Sequence, residues 1–166
     1  MSDNRIHIAL VTAWFPPRKS VAVNRMLAFV NYLSKERFKI TDITLNEGNS
    51  PAYETNQTGD IYREQDEQII PFLKNKQGEN KLLHLSKVVW NVLLLKVLQY
   101  PHKAWMKRVE KRLEFVHSKN PIDLIISSFS PIEAHLDTYN FLQNHKSIAW
   151  VADMRDEMST NGQINN

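Results

Sequence analysis

The stretch IHIALVTAWFPPRKSVAVNRMLAFVNYLSK, residues 6–35, decides the fold. Ile6 to Val11 is a short, largely apolar run, the pattern of a strand covered on both faces. Pro16 and Pro17 then forbid the strand from continuing, because proline brings no N–H to a sheet ladder. Ser20 is placed to cap a helix that runs to about Lys35. Val23, Leu27, Val30 and Leu33 recur at helical spacing with Met26 beside them, so this face should lie on a sheet.

Outward from this unit the alternation continues. A second strand is expected over Lys39–Leu45, carrying Ile40, Ile43 and Thr44. The polar, acidic stretch Asn46–Glu67, rich in Asn, Gln, Gly and Ser, reads as a long surface loop. A brief third strand follows at Gln68–Phe72. An apolar helix is expected over Leu82–Leu98, and Pro101 separates it from a second helix, His102–Ser118. On that second helix Trp105, Val109, Leu113 and Val116 share one face, with bases over much of the other. IDLIISSFS, residues 122–130, reads as a buried fourth strand ended by Pro131. A helix over Ile132–Asn144 and a fifth strand in SIAWVADMRD, residues 147–156, complete the series. Strands alternating with helices argue for an α/β three-layer sandwich on a parallel sheet. Right-handed crossovers and a reversal beside the first strand give the order 3-2-1-4-5.

The chain has 166 residues, enough for one domain with a real core. Hydrophobic residues make up 42% and charged residues 23%, which excludes a disordered chain. The absence of cysteine excludes disulfides, thiolate metal sites and a cysteine nucleophile, and fits a reducing compartment. The opening MSDNRIHIALVTAWF has no secretory layout, and no stretch approaches ~20 uninterrupted apolar residues. A cytoplasmic location is therefore expected. The histidines are scattered, without zinc or calcium spacing, and neither a P-loop nor GxGxxG is present.

Charge is uneven although the formal net is only +3. His102–Lys119 holds six Lys/Arg against Glu110 and Glu114, and from Asn120 onward two bases face six acids. Trp105, Val109 and Leu113 oppose Lys103, Lys107, Lys111 and Arg112, so this helix is a candidate for peripheral contact with an anionic membrane surface. Simple packing of the apolar face on the sheet, with solvated bases, is the competing reading. The acidic C-terminal third, and the lack of a known module, count against nucleic acid as a partner.

In such a sheet, ligands sit beyond the carboxyl ends of the strands where strand order reverses. The segments there are Trp14–Ser20, Ser127–Pro131 and Asp153–Glu157. Arg18 and Lys19, at a helix start with Ser20 and with Arg25 further on, favour an anion such as phosphate. Trp14 and Phe129 at strand ends offer rings for a sugar or lipid, although aromatics at such places are also commonly packed inside. Asp153, Arg155 and Asp156 either fix their own loop through ion pairs or hydrogen-bond acceptor hydroxyls. His135, one turn into its helix, either points at the cleft or packs within the core.

The three segments also carry a resemblance. IALVTAWFPPRKSVAVNRMLAFVNYLSK is similar to the start of family 4 glycosyltransferases, where a strand runs into an FPP loop and then a helix. DLIISSFSPIEAHL resembles that family's fourth-strand segment, with a His on the following helix, and IAWVADMRDE resembles its W-x-A-D-x-R-D segment. The motifs fall in the family's order and cover most of the chain except roughly 46–99. The resemblance implies one half of a GT-B fold, in which two Rossmann-like domains face each other across a cleft. Residues 1–158 would be the acceptor-side domain and 159–166 a flexible tail at a truncation point. The implied activity is retaining transfer of a sugar from a nucleotide-sugar donor to a glycan or lipid-linked acceptor in glycan or surface-polysaccharide biosynthesis. No cofactor or metal is implied. The donor would be held mainly by the missing C-terminal domain, so this fragment alone would be inactive. His135 would be the catalytic contact, Trp14, Asp153, Arg155 and Asp156 would bind acceptor, and Arg18, Lys19 and Ser20 would bind phosphate.

One departure stands out: many members carry paired glycines after the first strand, and this chain has Pro16, Pro17, Arg18, Lys19 and Ser20 there. Close backbone approach to phosphates is then disfavoured, and side-chain charge would have to substitute. The expected location becomes cytoplasmic, with peripheral association on the inner face of the membrane. A non-catalytic α/β interaction module and a peripheral membrane-binding module remain the alternative readings.

Overall fold

The computed structural model describes residues 4–33, 35–46, 50–55, 59–65, 85–86, 89, 102–129 and 131–154. Strand β1 (Ile6–Thr12) is buried at every position after Ile6, as a central strand covered on both faces requires. Helix α1 (Val21–Tyr32) starts where Ser20, in extended backbone, accepts a hydrogen bond from Val23 N at 3.3 Å, satisfying one of the orphan amides of the first turn. It ends at Leu33, which returns to extended backbone and donates its N–H to Phe29 O at 3.1 Å. Strand β2 (Phe38–Asn46) pairs parallel to β1 with Leu10 opposite Asp42.

The segment read as a loop holds two strands. Strand β3 (Tyr53–Thr55) runs antiparallel to β4 (Gly59–Gln65), and β4 pairs parallel to β2. The third parallel strand is therefore Gly59–Gln65, ahead of the expected Gln68–Phe72, which lies outside the described residues. Gly59 adopts φ +153°, and a Cβ there would lie 1.8 Å from Ile40 O, so only glycine lets β4 start this close to β2. Of the helix expected at 82–98, only residues 85, 86 and 89 are described.

Helix α2 (Lys103–Lys119), strand β5 (Leu124–Ser128), helix α3 (Glu133–Asn144) and strand β6 (Ala149–Asp153) complete the described elements. His102 gives α2 no side-chain cap; instead its backbone N–H donates to Glu133 Oε1 of α3 at 2.9 Å. The sheet order is β3-β4-β2-β1-β5-β6. Its five parallel strands keep the expected order, with β3 added antiparallel at one edge. The fold is a mixed α/β, Rossmann-like sandwich.

Two cores flank the sheet. On one side Trp105, Val109, Leu113 and Phe141 of α2 and α3 pack on Ala9, Val11, Ile43 and Ile125. On the other, Met26 and Val30 of α1 pack on Ile8, Leu10, Ile40, Ile61 and Ile126. Trp105 is fully buried, so it cannot touch a membrane. The apolar stripe of α2 faces the sheet, where burying one large side chain contributes roughly 1.5–3 kcal/mol. Among the described residues no helix is long and apolar enough to cross a membrane.

Candidate functional site

The carboxyl ends of β1, β5 and β6 lie side by side, because β1 and β6 both pair with β5 in parallel. Thr12 closes β1, and its buried Oγ1 accepts from Trp14 N at 3.2 Å. The chain then turns: Arg18 N donates to Phe15 O at 3.3 Å, and the Pro16–Pro17 peptide is cis. Phe15 is buried on the α1 side, while Pro17, Arg18 and Lys19 stand in solvent. From below, Arg63 of β4 fastens this loop. Its Nη2 donates to Pro16 O at 3.3 Å, and its Nη1 reaches Glu54 at 2.9 Å and Pro51 O at 3.3 Å.

Side-chain alternation sends the two serines of β5 to opposite faces. Ser127, fully buried, lies 2.7 Å from His135 Nδ1 and receives the Trp150 indole N–H at 2.8 Å. An indole can only donate, so Ser127 Oγ accepts from Trp150 and its own hydrogen is available for His135 Nδ1. With the imidazole proton on Nε2 the hydroxyl donates to Nδ1, and with it on Nδ1 the same oxygen accepts a second bond. Burial lowers the His135 pKa, partly offset by Asp153, so the ring is neutral at pH 7. His135 is 5% exposed, and its Nε2 has no hydrogen-bond partner among the described residues. Phe129 stacks on the imidazole, with ring centroids 6.2 Å apart. Ser127 is enclosed between Trp150 and His135, which excludes it as a nucleophile open to substrate.

Ser128 points the other way and donates to Asp153 Oδ2 at 3.0 Å, while Asp153 Oδ1 takes the Arg25 guanidinium at 2.5 Å. Phe129 N donates to Asp153 O at 3.1 Å, tying the β5 exit to the end of β6. Asp153 is 9% exposed, so this carboxylate is a buried anchor with both oxygens engaged. Arg25 thereby leaves the anion-binding group of Arg18 and Lys19 and pairs with the acid of β6.

The structure brings Trp14, Arg18, Lys19, Ser20, His135 and Asp153 to one end of the sheet. The Arg18 guanidinium lies 3.7 Å from the Trp14 ring centroid and covers that face of the indole, and Trp14 packs partly against the core. Ser20 spends its hydroxyl on the helix cap. Arg155 and Asp156 lie outside the described residues, as does the side chain of Lys103. Lys107 and Lys111 are exposed on α2, on the opposite side from Trp105. Sequence reasoning placed Ser127 in the segment Ser127–Pro131 and Trp150 in the W-x-A-D-x-R-D stretch without giving either a role, and it missed Arg63, which no local pattern marks. Among the described residues no group of three or more His, Asp or Glu side chains can hold a metal ion.

No known protein-family model and no curated protein matches the sequence. Among solved structures, the chain is similar to sucrose-phosphate synthase from Thermosynechococcus elongatus, with a TM-score of 0.52 and 12% identity over 96% of this chain. The chain spans 38% of the length of that protein. At this identity the likeness concerns the fold alone.

Proposed function

We propose that the chain is the acceptor-side domain of a retaining glycosyltransferase of GT-B type, akin to family 4, working in glycan or surface-polysaccharide assembly. The observation that carries this reading is the unpartnered, buried Nε2 of His135 at the point where β1, β5 and β6 end together. A neutral imidazole nitrogen in a dry setting is a directed partner for a sugar hydroxyl, which can both donate and accept. Exposed Arg18 and Lys19 at the start of α1 supply positive charge for a diphosphate. Asp153, oriented by Arg25 and Ser128, keeps free lone pairs for an acceptor hydroxyl. The likeness to a sucrose-phosphate synthase supports the reading at the level of the fold.

On this reading a second domain supplies most donor contacts. Positioning donor and acceptor together accounts for ~7–11 kcal/mol of such a barrier. The 166-residue chain alone should therefore bind nucleotide-sugars no better than millimolar, about 4 kcal/mol, and release no nucleoside diphosphate. Calorimetry with uridine and guanosine diphosphate sugars, alongside a release assay with sugar and lipid acceptors, tests this. Micromolar donor binding, or turnover abolished by His135→Ala, would show a complete enzyme and defeat the two-domain account.

A further inference from the structure

Among the described residues, four buried polar atoms without a hydrogen-bond partner belong to three neighbours in the sheet. They are both carboxyl oxygens of Asp42, Oγ1 of Thr44 and Nε of Arg63. Strand side chains alternate, so Asp42 and Thr44 share the α1 face with Ile40, and Arg63 shares it with Ile61. The register sets Thr44 opposite Arg63 and Asp42 opposite Ile61, which leaves Asp42 and Arg63 one diagonal step apart. A long side chain spans that step. Folded proteins leave few buried polar atoms unpaired, and a cluster of them calls for an explanation.

Arg63 spends its other two nitrogens on the loop and the sheet edge. Nη2 donates to Pro16 O, and Nη1 donates to Glu54 and to Pro51 O. The Glu54 side chain is 43% exposed, so water can take over much of what Arg63 gives it. Asp42 is fully buried, and a charge there would gain far more from a guanidinium because water does not screen it. Burial raises its pKa to about 8, opposed by Arg63, so at pH 7 the acid is neutral and makes little claim on Arg63. The other charges on this face are placed differently. Helix α1 brings Arg25, which is paired with Asp153, and the loop brings Arg18 and Lys19, which stand in solvent. Strand β1 turns Ile8, Leu10 and Thr12 to this face and no charge.

We propose that Arg63 is a two-position latch on the loop after β1, thrown by the proton of Asp42. With Asp42 neutral, the guanidinium holds the loop through Pro16 O. When Asp42 gives its proton to solvent, Nε turns to the new carboxylate, and the guanidinium lets go of Pro16 and Glu54. The loop that carries Arg18 and Lys19 is then free to move. The four unpaired atoms are what such a latch needs: a donor and its acceptors held close, and unjoined in the protonated state. A buried water bridging the same atoms would satisfy them too, but it would leave Arg63 in place when Asp42 ionises. The latch does not depend on the sugar-transfer reading.

The test is an NMR titration of the full chain, labelled with carbon-13 and nitrogen-15, from about pH 6 to about pH 10. The Asp42 carboxyl carbon and the Arg63 Nε nitrogen should titrate together, with one midpoint at about 8. Tryptic cleavage after Arg18 or Lys19, normalised to a loop peptide at each pH, reads the release. It should rise several-fold between pH 7 and pH 9, toward the ~ninefold increase in ionised Asp42 over that range. Cleavage after Arg112, inside α2, should not rise with it, which separates loop release from unfolding of the whole domain. Asp42→Asn keeps the shape and cannot ionise, so its loop should be cut at the slow rate throughout, with circular dichroism confirming the fold. Asp137→Asn should leave the loop titration in place. The proposal is overturned if Asp42 ionises while Arg63 Nε stays unmoved, or if Asp42 does not titrate in this range. An equal rise at Arg112, or a rise that persists in Asp42→Asn, overturns it too. Should Asp42→Asn fail to fold, the wild-type resonances and the comparison with Arg112 decide.

Discussion

Ser127 Oγ and His135 Nδ1 lie 2.7 Å apart, with the Trp150 indole N–H donating to the same oxygen. This one hydroxyl bridges the two rings and holds the imidazole of His135 by its Nδ1. Ser127→Ala would leave the buried Nδ1 of His135 and the indole N–H of the more exposed Trp150 without their partner. It should cost about 1–3 kcal/mol in denaturant unfolding and shift the indole proton resonance of Trp150. An unchanged stability and an unmoved resonance would contradict the network.

Asp153 and Arg25 should respond unequally to truncation. Asp153 is buried and also accepts from Ser128, whereas the Arg25 side chain is 51% exposed. Arg25→Ala leaves the buried Asp153 carboxylate without its charge partner and should cost about 3 kcal/mol. Asp153→Ala leaves a half-exposed guanidinium that water can solvate and a Ser128 hydroxyl without its acceptor, and should cost about 1–2 kcal/mol. Equal costs, read from urea midpoints at constant m, would show that the carboxylate is not held as a buried charge.

Two buried carboxyls give the fold a pH signature. Burial raises the pKa of Asp42 to about 8, opposed by Arg63, and burial with Glu133 and Glu110 raises that of Asp137 to about 8. Both acids keep their proton in the folded state and lose it on unfolding. Stability is then greatest below the unfolded carboxyl pKa and declines as pH rises toward 8, by roughly 1 kcal/mol per pH unit for each group. Asp137→Asn should flatten part of this slope between pH 5 and 8. A wild-type stability that rises across that range would contradict the assignment.

Arg63 holds the loop carrying Arg18 and Lys19 through Pro16 O. Arg63→Met should loosen it by about 1–2 kcal/mol, raising tryptic cleavage after Arg18 or Lys19 roughly 5–30-fold. Arg112→Met, which breaks the pair with Glu64 on the other face, serves as the comparison and should leave that cleavage rate near wild type. Equal acceleration in both variants would reduce Arg63 to a general stabiliser.

Residues 6–35 were legible because a buried strand, a proline stop and a capped amphipathic helix leave local patterns that packing does not overrule. Strands β3 and β4 were not. Glu54, Asp60, Arg63 and Glu64 make them polar, since they lie at a sheet edge and spend those side chains on cross-strand and loop contacts. The stripe on α2 could be recognised as apolar but not assigned, because Trp105, Val109 and Leu113 would suit a bilayer or a sheet equally well. At the site, the resemblance pointed to His135 and Asp153. Their partners were hidden by distance along the chain: Arg25 lies 128 residues from Asp153, and Trp150 lies 23 from Ser127.

The central claim is that ligand recognition gathers around His135 at the ends of β1, β5 and β6. Its most direct test is an NMR titration of the isotope-labelled chain with nucleotide-sugars and free sugars up to ~10 mM, a range that reports millimolar affinity. The account predicts graded shifts in the amides of Trp14 to Ser20, Phe129 and His135, and in the Trp150 indole, with little change elsewhere. His135→Ala should weaken them. Shifts confined to the β3–β4 edge or to α2, or none at all across the panel, would contradict it.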